Sequence, residues 1–427
     1  MSRLTLLVAL PFFAACAHQG TAKLFPAEQT FHFEALRALG FAPFKGADPG
    51  EVLQTISRIR EGDEESWFEA WNSTAARLEQ TATASTYDRV GRGRTLLRVH
   101  NYFRTAEFFL RPDDPRKAEM YRKSVSAFYA AMNELEVPHE RFDVPWGSGT
   151  LPALFFESPR ATPETPLLVV VNGYDSIKEE IYFFLVEPAL ERGYSVLVYD
   201  GPGQGAALRE QGLHFTPAWE EVNRAVLDSH FARHPLRPVV LVGCSLGSVL
   251  ATRAAAHDDR VKGLVAWDIF YDFAEAVSYR MPGWVRSSIY ESREESAFLR
   301  LGTSLGTRFS LQKRWALNHG RWVLGIDDPL AVLREYARYT TKDVSPDVRA
   351  DVLLLAGEND HFVPLELLEK TRAALVNAHS VEVEVFSAET GAQEHCQVGA
   401  MNLVHHRLFE WLGDESHRPW QRRREAL

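Results

Sequence analysis

Pro238-Val-Val-Leu-Val-Gly-Cys-Ser-Leu-Gly-Ser248 is the stretch of the sequence that decides the fold. An apolar run, as expected of a strand buried on both faces, leads directly into Gly243-Cys-Ser-Leu-Gly247. This G-x-S-x-G pattern is typical of a sharp turn from strand to helix, in which small residues two positions from the serine avoid crowding. The stretch therefore predicts a nucleophilic serine, Ser245, exposed at the carboxyl edge of a sheet.

The same five-residue pattern occurs a second time, at Gly302-Thr-Ser-Leu-Gly306. The residues before it, 291–301, are charged and have helical periodicity, so no strand leads into this copy. The pattern indicates catalysis only where strand, turn and helix surround it. We therefore expect Ser304 to be a helix cap or a loop residue.

A serine hydroxyl becomes a nucleophile when a neighbouring base takes its proton, and that base needs an acid to orient it. The apolar segment 352–356 leads into a loop with Asp360, and the segment 381–386 is followed by a loop with His395. The chain order Ser, Asp, His is the one found with this type of turn. We predict Asp360 as the orienting acid, with Glu358 as the alternative, and His395 as the general base.

The negative charge on a tetrahedral oxygen needs fixed N–H donors. One should be the backbone N–H of Leu246, the residue after the nucleophile. The second should come from the loop after the third strand, Val171-Asn-Gly-Tyr-Asp-Ser176. Within this loop we predict the N–H of Tyr174, with that of Gly173 as the next candidate.

Neither a metal nor a cofactor is predicted. Asp360 and His361 have no further metal ligands at a recognisable spacing, and His361 is expected to be solvated or part of the core. Asp200-Gly-Pro-Gly-Gln-Gly205 follows a strand, but it is not G-x-G-x-x-G, and Pro202 lacks an N–H that a phosphate would use. We predict that this segment is a tight loop at the rim of the active site.

The hydrophobic periodicity changes at about residue 138. Residues 25–137 have helical spacing, with expected breaks that include Gly91. After residue 138 short β-rich runs alternate with helices, which predicts a doubly wound, mostly parallel eight-stranded α/β sheet whose first two strands are antiparallel. The predicted helices of the first part are 49–60, 64–80, 95–110 and 115–135. The predicted strands are 141–144, 151–157, 167–171, 195–199, 239–242, 263–267, 352–356 and 381–386.

We therefore divide the chain into an N-terminal helical domain, an α/β core and an insertion. The helical domain is residues 25–137, and the core is residues 138–268 and 346–427. The long helical connection 269–345 separates two strands that would otherwise follow each other, and it predicts a lid.

The first 24 residues predict an export signal, with one early positive charge and an apolar run too short to span a bilayer. Phe13-Ala-Ala-Cys16 is similar to a bacterial lipobox, so a lipidated Cys16 could tether the protein to a membrane. Ala15-Cys-Ala17 could instead be an ordinary cleavage site. We expect an extracytoplasmic location, either periplasmic or membrane-anchored, or a cytoplasmic one if the segment is not a functional signal.

Composition and net charge restrict which partners the protein can bind. The net charge of −10 over 427 residues argues against nucleic acid, because no basic stripe is present. Apart from Cys16, only Cys244 and Cys396 are present, so no disulfide framework is expected and both are interpreted as small packing residues. A homodimer is compatible with the sequence.

Six further runs of sequence resemble the α/β-hydrolase superfamily, and more narrowly its branch with an N-terminal helical domain. The branch includes fermentation-respiration-switch esterase-like proteins, 2,6-dihydroxypseudooxynicotine hydrolase and fungal polyketide-shortening hydrolases of pigment synthesis. The runs are Phe33-Glu-Ala-Leu-Arg-Ala-Leu39, Asn101-Tyr-Phe-Arg-Thr-Ala-Glu-Phe-Phe109, Asn172-Gly-Tyr-Asp-Ser176, Asp200-Gly-Pro-Gly-Gln-Gly205, Arg253-Ala-Ala-Ala256 and Glu394-His-Cys-Gln397.

The resemblance covers most of residues 31–412. It implies Ser245, Asp360 and His395 as a catalytic triad, in a site covered by the helical domain and the lid. It also implies cleavage either of an ester or of a carbon–carbon bond next to a ketone. Ser248 departs from the family, which usually has a second glycine there, and this departure predicts looser helix packing. The export signal is unusual for the branch.

These features together predict a cofactor-independent serine hydrolase that forms an acyl-enzyme on a small molecule with an acyl or ketone group. An acyltransferase with the same triad and a tethered, non-catalytic binding module remain as alternatives. Asp268, Asp272 and Glu275 follow a predicted strand and could supply an extra acid for carbon–carbon cleavage, although surface or lid-anchoring roles are favoured.

Overall fold

The computed structural model describes residues 22–84, 88–292 and 297–413. Most of the predicted export signal, including Cys16, lies outside these residues, so export and lipidation stay predictions. None of the helices in the described part of the chain is both long and apolar enough to cross a membrane.

Five α-helices precede the first strand in the described N-terminal region, and they pack around a core of their own that is rich in aromatic residues. Asp48, Asp88 and Asp114 each cap a helix by accepting a backbone N–H. The helices are α1 (Gln29–Gly40), α2 (Pro49–Ile56), α3 (Glu64–Ala84), α4 (Arg89–Glu107) and α5 (Pro115–Glu134).

The expected break at Gly91 is wrong. Asp88 accepts the backbone N–H of Gly91 at 2.7 Å, so α4 begins at Arg89 and Gly91 lies in its first turn. A side-chain cap placed before the glycine starts the helix there, which the glycine alone would not reveal.

The eight strands form one sheet, and this confirms the predicted fold class. They are β1 (Glu140–Trp146), β2 (Gly149–Phe156), β3 (Leu167–Val171), β4 (Val196–Tyr199), β5 (Val239–Cys244), β6 (Val261–Trp267), β7 (Asp351–Gly357) and β8 (Ser380–Phe386). Their order is β1-β2-β4-β3-β5-β6-β7-β8. The pairs of β2 with β1 and with β4 are antiparallel, and the other pairs are parallel. Because helices cover both faces, β3, β4, β5 and β7 are buried along their whole length.

The helices of the α/β core connect these strands. A π-helical turn, Tyr182–Val186, lies directly before a short α-helix. Up to β6 the helices are α6 (Glu187–Glu191), α7 (Gly205–Gln211), α8 (Trp219–Phe231) and α9 (Gly247–His257).

The connection between β6 and β7 is helical, as expected for the insertion. Its helix α13 carries Leu311 and Trp315 into the core of the N-terminal helices, and Trp315 stacks on Phe108 with ring centroids 4.7 Å apart. The insertion and the N-terminal region therefore meet above the sheet. The helices are α10 (Phe273–Ser278), α11 (Gly283–Tyr290), α12 (Ala297–Phe309), α13 (Leu311–Leu324) and α14 (Pro329–Glu335), followed after β7 by α15 (Glu366–Ala374) and α16 (Met401–Gly413).

The two G-x-S-x-G segments have different surroundings. Ser304 lies inside α12 and is exposed, so it follows no strand, and it is neither a cap nor a loop residue as we had expected. At the turn between β5 and α9, a methyl group on Gly243 would overlap the carbonyl oxygen of Gly247, and one on Gly247 would overlap that of Val171. The backbones of β3, β5 and the start of α9 are thus in close contact at the first G-x-S-x-G segment, and the second has no such contact.

We expect Gly247→Ala to lower the free energy of unfolding by about 3 kcal/mol, because the added methyl group has no space between β3 and the start of α9. Gly302→Ala is the matched control in the second segment. Nothing lies within 4 Å of a methyl group there, so the better helix former should raise stability by about 0.5–1 kcal/mol. Urea denaturation followed by circular dichroism measures both, and equal stabilities for the two variants would contradict the close contact.

Candidate active site

Ser245 occupies the turn between β5 and α9 with a backbone φ of +57°, a left-handed conformation that is uncommon for a residue with a side chain. Its N–H donates to the carbonyl of Trp267 at 2.9 Å. The hydroxyl of Ser248 lies 2.9 Å from the carbonyl oxygen of Gly243 and 3.1 Å from that of Trp267. The expectation that Ser248 loosens the packing of α9 is therefore wrong, since its buried hydroxyl joins the ends of β5 and β6.

The three predicted triad side chains form a continuous hydrogen-bonded chain. His395 Nε2 lies 2.8 Å from Ser245 Oγ, and His395 Nδ1 lies 2.6 Å from Asp360 Oδ2. Asp360 Oδ1 accepts the backbone N–H groups of Phe362 and Val363 at 2.7 and 3.0 Å, which fixes the carboxylate. This is the arrangement that a serine requires from a base and an orienting acid in order to act as a nucleophile.

The alternative acid, Glu358, lies elsewhere. It is exposed, and its carboxylate accepts the backbone N–H of Ala388 at 2.9 Å. Of the two carboxylates that the sequence offered in this loop, the structure brings Asp360 to the histidine.

The electrostatic environment favours a charged imidazole. His395 is buried, which by itself lowers its pKa, but the Asp360 carboxylate outweighs this effect and holds the pKa of His395 well above the ordinary value. A proton taken up by His395 is therefore stabilised by the neighbouring carboxylate.

Asp268 is a further buried carboxylate beside His395, with its Oδ2 3.4 Å from Nδ1. Its Oδ1 accepts the N–H of Gly357 at 3.1 Å and the side-chain amide of Gln397 at 3.1 Å, and its Oδ2 accepts the N–H of Cys396. Burial and the nearby Asp360 raise the pKa of Asp268 to about 7. A surface or lid-anchoring role is thus wrong for Asp268, which connects the ends of β6 and β7 to the histidine loop.

Asp272 and Glu275 make contacts that hold the start of the insertion in place. Asp272 accepts the N–H of Glu275 at 2.7 Å at the start of α10 and lies 2.9 Å from Lys342 Nζ. Glu275 forms an ion pair with Lys370. Of the three acids that follow β6, only Asp268 lies at the proposed triad. The sequence contained a signal for the position of Asp268, because the residue directly after a central parallel strand lies at the carboxyl edge of the sheet.

The loop predicted to supply the second oxyanion donor approaches Ser245 closely. A methyl group on Gly173 would lie 2.9 Å from the carbonyl oxygen of Cys244 and 3.1 Å from Ser245 Cβ. The backbone N–H groups of Leu246 and Tyr174 have no acceptor within the described residues. Gln204 donates from its side-chain amide to the carbonyls of Asn172 at 2.7 Å and Gly173 at 3.0 Å, so two loop carbonyls are already engaged.

We had expected the segment 200–205 to lie at the rim of the active site, and this expectation is wrong. It is buried, and Asp200 accepts the N–H of Ala206 and binds both the N–H and the ammonium group of Lys178, each at 2.9 Å. Asp200 and Gln204 therefore hold this segment against the loop around Gly173.

A cavity of about 490 Å³ lies above Ser245. The N-terminal region contributes Phe33 and Arg37 to its wall, and the insertion contributes Phe273 and Trp315. Most of the lining is apolar or aromatic, as is usual for a small-molecule site. The walls are formed by residues that include Tyr174, Asp175, Ile181, Phe184, Phe270, Val277, Met281, Ala316, His361, Phe362 and Val398.

A buried ionic cluster fixes the N-terminal region on the side of the core that carries Ser245. Arg37 donates to both carboxylate oxygens of Glu180, at 2.8 and 2.7 Å, and to Asp175 at 3.3 Å. Arg104 lies 3.2 Å from Glu34 and 3.3 Å from Glu180. Burial raises the pKa of Glu34 to about 7. Sequence reasoning missed this cluster because its charges come from distant segments.

Cys244 and Cys396 are free and buried, as expected, but both also line the cavity. The ligand atoms of Asp268, His395 and Cys396 lie within 4.8 Å of one another. This set does not suit a metal ion, because His395 Nδ1 is engaged by Asp360 and burial raises the pKa of the Cys396 thiol to about 11. The thiol therefore stays protonated near neutral pH.

We expect Asp268→Ala to lower the free energy of unfolding by about 3 kcal/mol or more, because three buried N–H donors lose their acceptor. Asp272→Ala is the matched control. It removes a helix cap near the surface and should cost about 1 kcal/mol. Urea denaturation near neutral pH compares them, and similar losses for the two variants would contradict the structural role of Asp268.

Comparison with known proteins agrees with this fold. The profile of the Alpha/beta hydrolase family matches residues 168–410. The chain is 34% identical over 421 residues to Hydrolase acrC of Aspergillus aculeatus, with 92% of this chain and 98% of that protein covered. It is 32% identical over 406 residues to 20-hydroxy-prefusarin hydrolase FUS2 of Gibberella moniliformis, with 90% and 96% covered.

Among solved structures, the crystal structure of 2,6-dihydroxy-pseudo-oxynicotine hydrolase has a TM-score of 0.66 at 22% identity and covers 88% of this chain and 94% of its own. That likeness shows a shared fold, with a helical region of about 130 residues before the sheet. The resemblance to the branch with an N-terminal helical domain is thus confirmed. The chain therefore belongs to the alpha/beta hydrolase family, and it is a hydrolytic enzyme.

Proposed function

We propose that the protein is a serine hydrolase that cleaves either a carboxylic ester or a carbon–carbon bond next to a ketone in a small molecule. The observation that carries the proposal is the hydrogen-bonded chain from Ser245 Oγ through His395 to Asp360, which lies beneath an apolar cavity. A relative with "20-hydroxy-prefusarin hydrolase" in its name supports a small organic substrate.

In this mechanism Ser245 Oγ attacks the substrate carbonyl while His395 Nε2 takes its proton. Asp360 orients the ring and stabilises the imidazolium that forms. The N–H groups of Leu246 and of Tyr174 or Gly173 bind the oxyanion. His395 then protonates the leaving group, and a water molecule, activated by the same base, releases the acyl group from the serine.

The first test compares the two serines of the repeated pattern. We expect Ser245→Ala to lose labelling by a fluorophosphonate and to lower kcat on p-nitrophenyl esters or aryl 1,3-diketones by on the order of 10⁶-fold. Ser304→Ala should behave as the wild type, because Ser304 is exposed within α12.

A folded wild-type protein that is not labelled would favour a non-catalytic binding module over a hydrolase. Product analysis with added alcohols separates hydrolysis from acyl transfer, and predominant transfer would favour the acyltransferase alternative. The two substrate panels distinguish ester from carbon–carbon cleavage.

The second test uses the pH dependence of kcat/KM. The base must be neutral to accept a proton, so the raised pKa of His395 places the acidic limb of the wild-type profile above the ordinary histidine range. Asp360→Asn removes the charge that raises this pKa. We expect a limb at lower pH together with a fall in kcat of about 10⁴-fold. Glu358→Gln is the control and should leave the profile unchanged, whereas an unshifted Asp360→Asn profile would contradict the assignment.

A further inference from the structure

The entrance of the cavity above Ser245 lies in the insertion. Most residues of the cavity wall are buried or half-buried, and the exposed ones are Arg280, Pro282 and Lys313. Arg280 and Pro282 lie between α10 and α11, and Lys313 lies in the first turn of α13. A wall residue that is also exposed to solvent marks the opening of a cavity. A substrate therefore passes between these two segments on its way to Ser245.

Two of these entrance residues are cations that lack a counter-ion. Arg280 and Lys313 form no ion pair with a carboxylate in the part of the chain that the structure describes. The guanidinium group of Arg280 lies 5.0 Å from the ring centroid of Tyr279, which is itself a wall residue. An unpaired charge at the mouth of an apolar cavity attracts the opposite charge strongly, because the low-dielectric walls focus its field.

The carboxylates near the cavity do not compensate these charges. Among the described residues of the wall, Asp175 is the only acid, and Arg37 already donates to it at 3.3 Å. The acids of α10, Asp272 and Glu275, form ion pairs with lysines outside the wall. The entrance is therefore positively charged, although the whole chain has a net charge of −10.

The rest of the cavity suits an apolar molecule. The insertion lines it with side chains that include Phe270, Phe273, Met281, Trp315 and Ala316. An anionic group is costly to bury against such a wall, whereas an apolar body gains from contact with it. A substrate with both parts would therefore keep its anionic group at the entrance while its apolar part fills the cavity.

We propose that Arg280 and Lys313 are specificity-determining residues that bind a carboxylate of the substrate at the cavity entrance while the scissile carbonyl lies at Ser245. The substrate class is an acyl compound or ketone with an apolar body and an anionic group at the end away from the reacting carbon. The two cations act on substrate binding and take no part in the proton transfers of the triad. The inference rests on the proposed hydrolase function.

The test uses mono-p-nitrophenyl esters of adipate, suberate and sebacate, each paired with the ester whose free carboxylate is replaced by a neutral carboxamide. We expect the wild type to prefer the carboxylate member by about tenfold in kcat/KM at the chain length that reaches from Ser245 to the entrance. Arg280→Gln and Lys313→Gln should each lower kcat/KM about three- to fivefold on that ester and less than about twofold on its amide, and the double substitution should remove the preference. Raising the salt concentration to about 0.5 M should weaken the wild-type preference, because the entrance is exposed.

Arg286→Gln is the matched control, because Arg286 is an exposed cation on α11 that does not line the cavity, and it should keep the wild-type preference. A wild type that hydrolyses both members of every pair equally well, or a double variant that keeps the preference, would overturn the inference. Ser245→Ala tests the hydrolase function separately. Release of p-nitrophenol that survives this substitution would refute the mechanism, whereas its loss, with no carboxylate preference in the wild type, would refute only the role of the entrance cations.

Discussion

Close backbone contact at the carboxyl end of β5 is the constraint on which the rest of the site depends. Gly243 and Gly247 have no space for a side chain, because the turn brings the start of α9 against β5 and β3. This contact forces Ser245 into a left-handed backbone conformation. It also places Gly173, in the loop after β3, next to the serine. The same contact therefore presents Ser245 and brings the candidate oxyanion donors to it.

The neighbouring strand ends are joined by a buried carboxylate rather than by apolar packing. Asp268, with a φ of +54°, continues β6 and accepts N–H groups from the end of β7 and from the loop of His395. A charge in this position is costly to bury, and its raised pKa reflects that cost. Its effect is positional, since it joins the end of β6 to two other chain segments, the end of β7 and the loop of His395. Ser248 adds a hydroxyl bridge between β5 and β6 at the same edge.

Sequence reasoning succeeded where the signal is local. Continuous apolar runs predicted the buried strands, and the strand before Ser245, absent before Ser304, separated two identical patterns. Asp360 and His395 were expected to meet because each follows a strand and strand ends lie at one edge, and their side chains do lie 2.6 Å apart. Sequence reasoning failed where the interacting residue lies far away in the sequence, or where a local side-chain cap overrides the pattern. Arg37 and Glu180 are separated by 143 positions in the sequence, and the hydrophobic periodicity of the sequence does not predict a contact between them.

The N-terminal helices are part of the site rather than a separate cover, and α1 shows why. Phe33 contacts the rings of both His361 and His395, Gln29 binds Glu394, and Arg37 binds Asp175 in the loop next to Tyr174. One helix thus touches both histidines and the candidate oxyanion loop. Buried ion pairs such as that of Arg37 with Glu180 add little net stability, but they tolerate only one arrangement of their partners. Their role here is to fix the position of α1, so that the apolar cavity keeps a defined shape above Ser245.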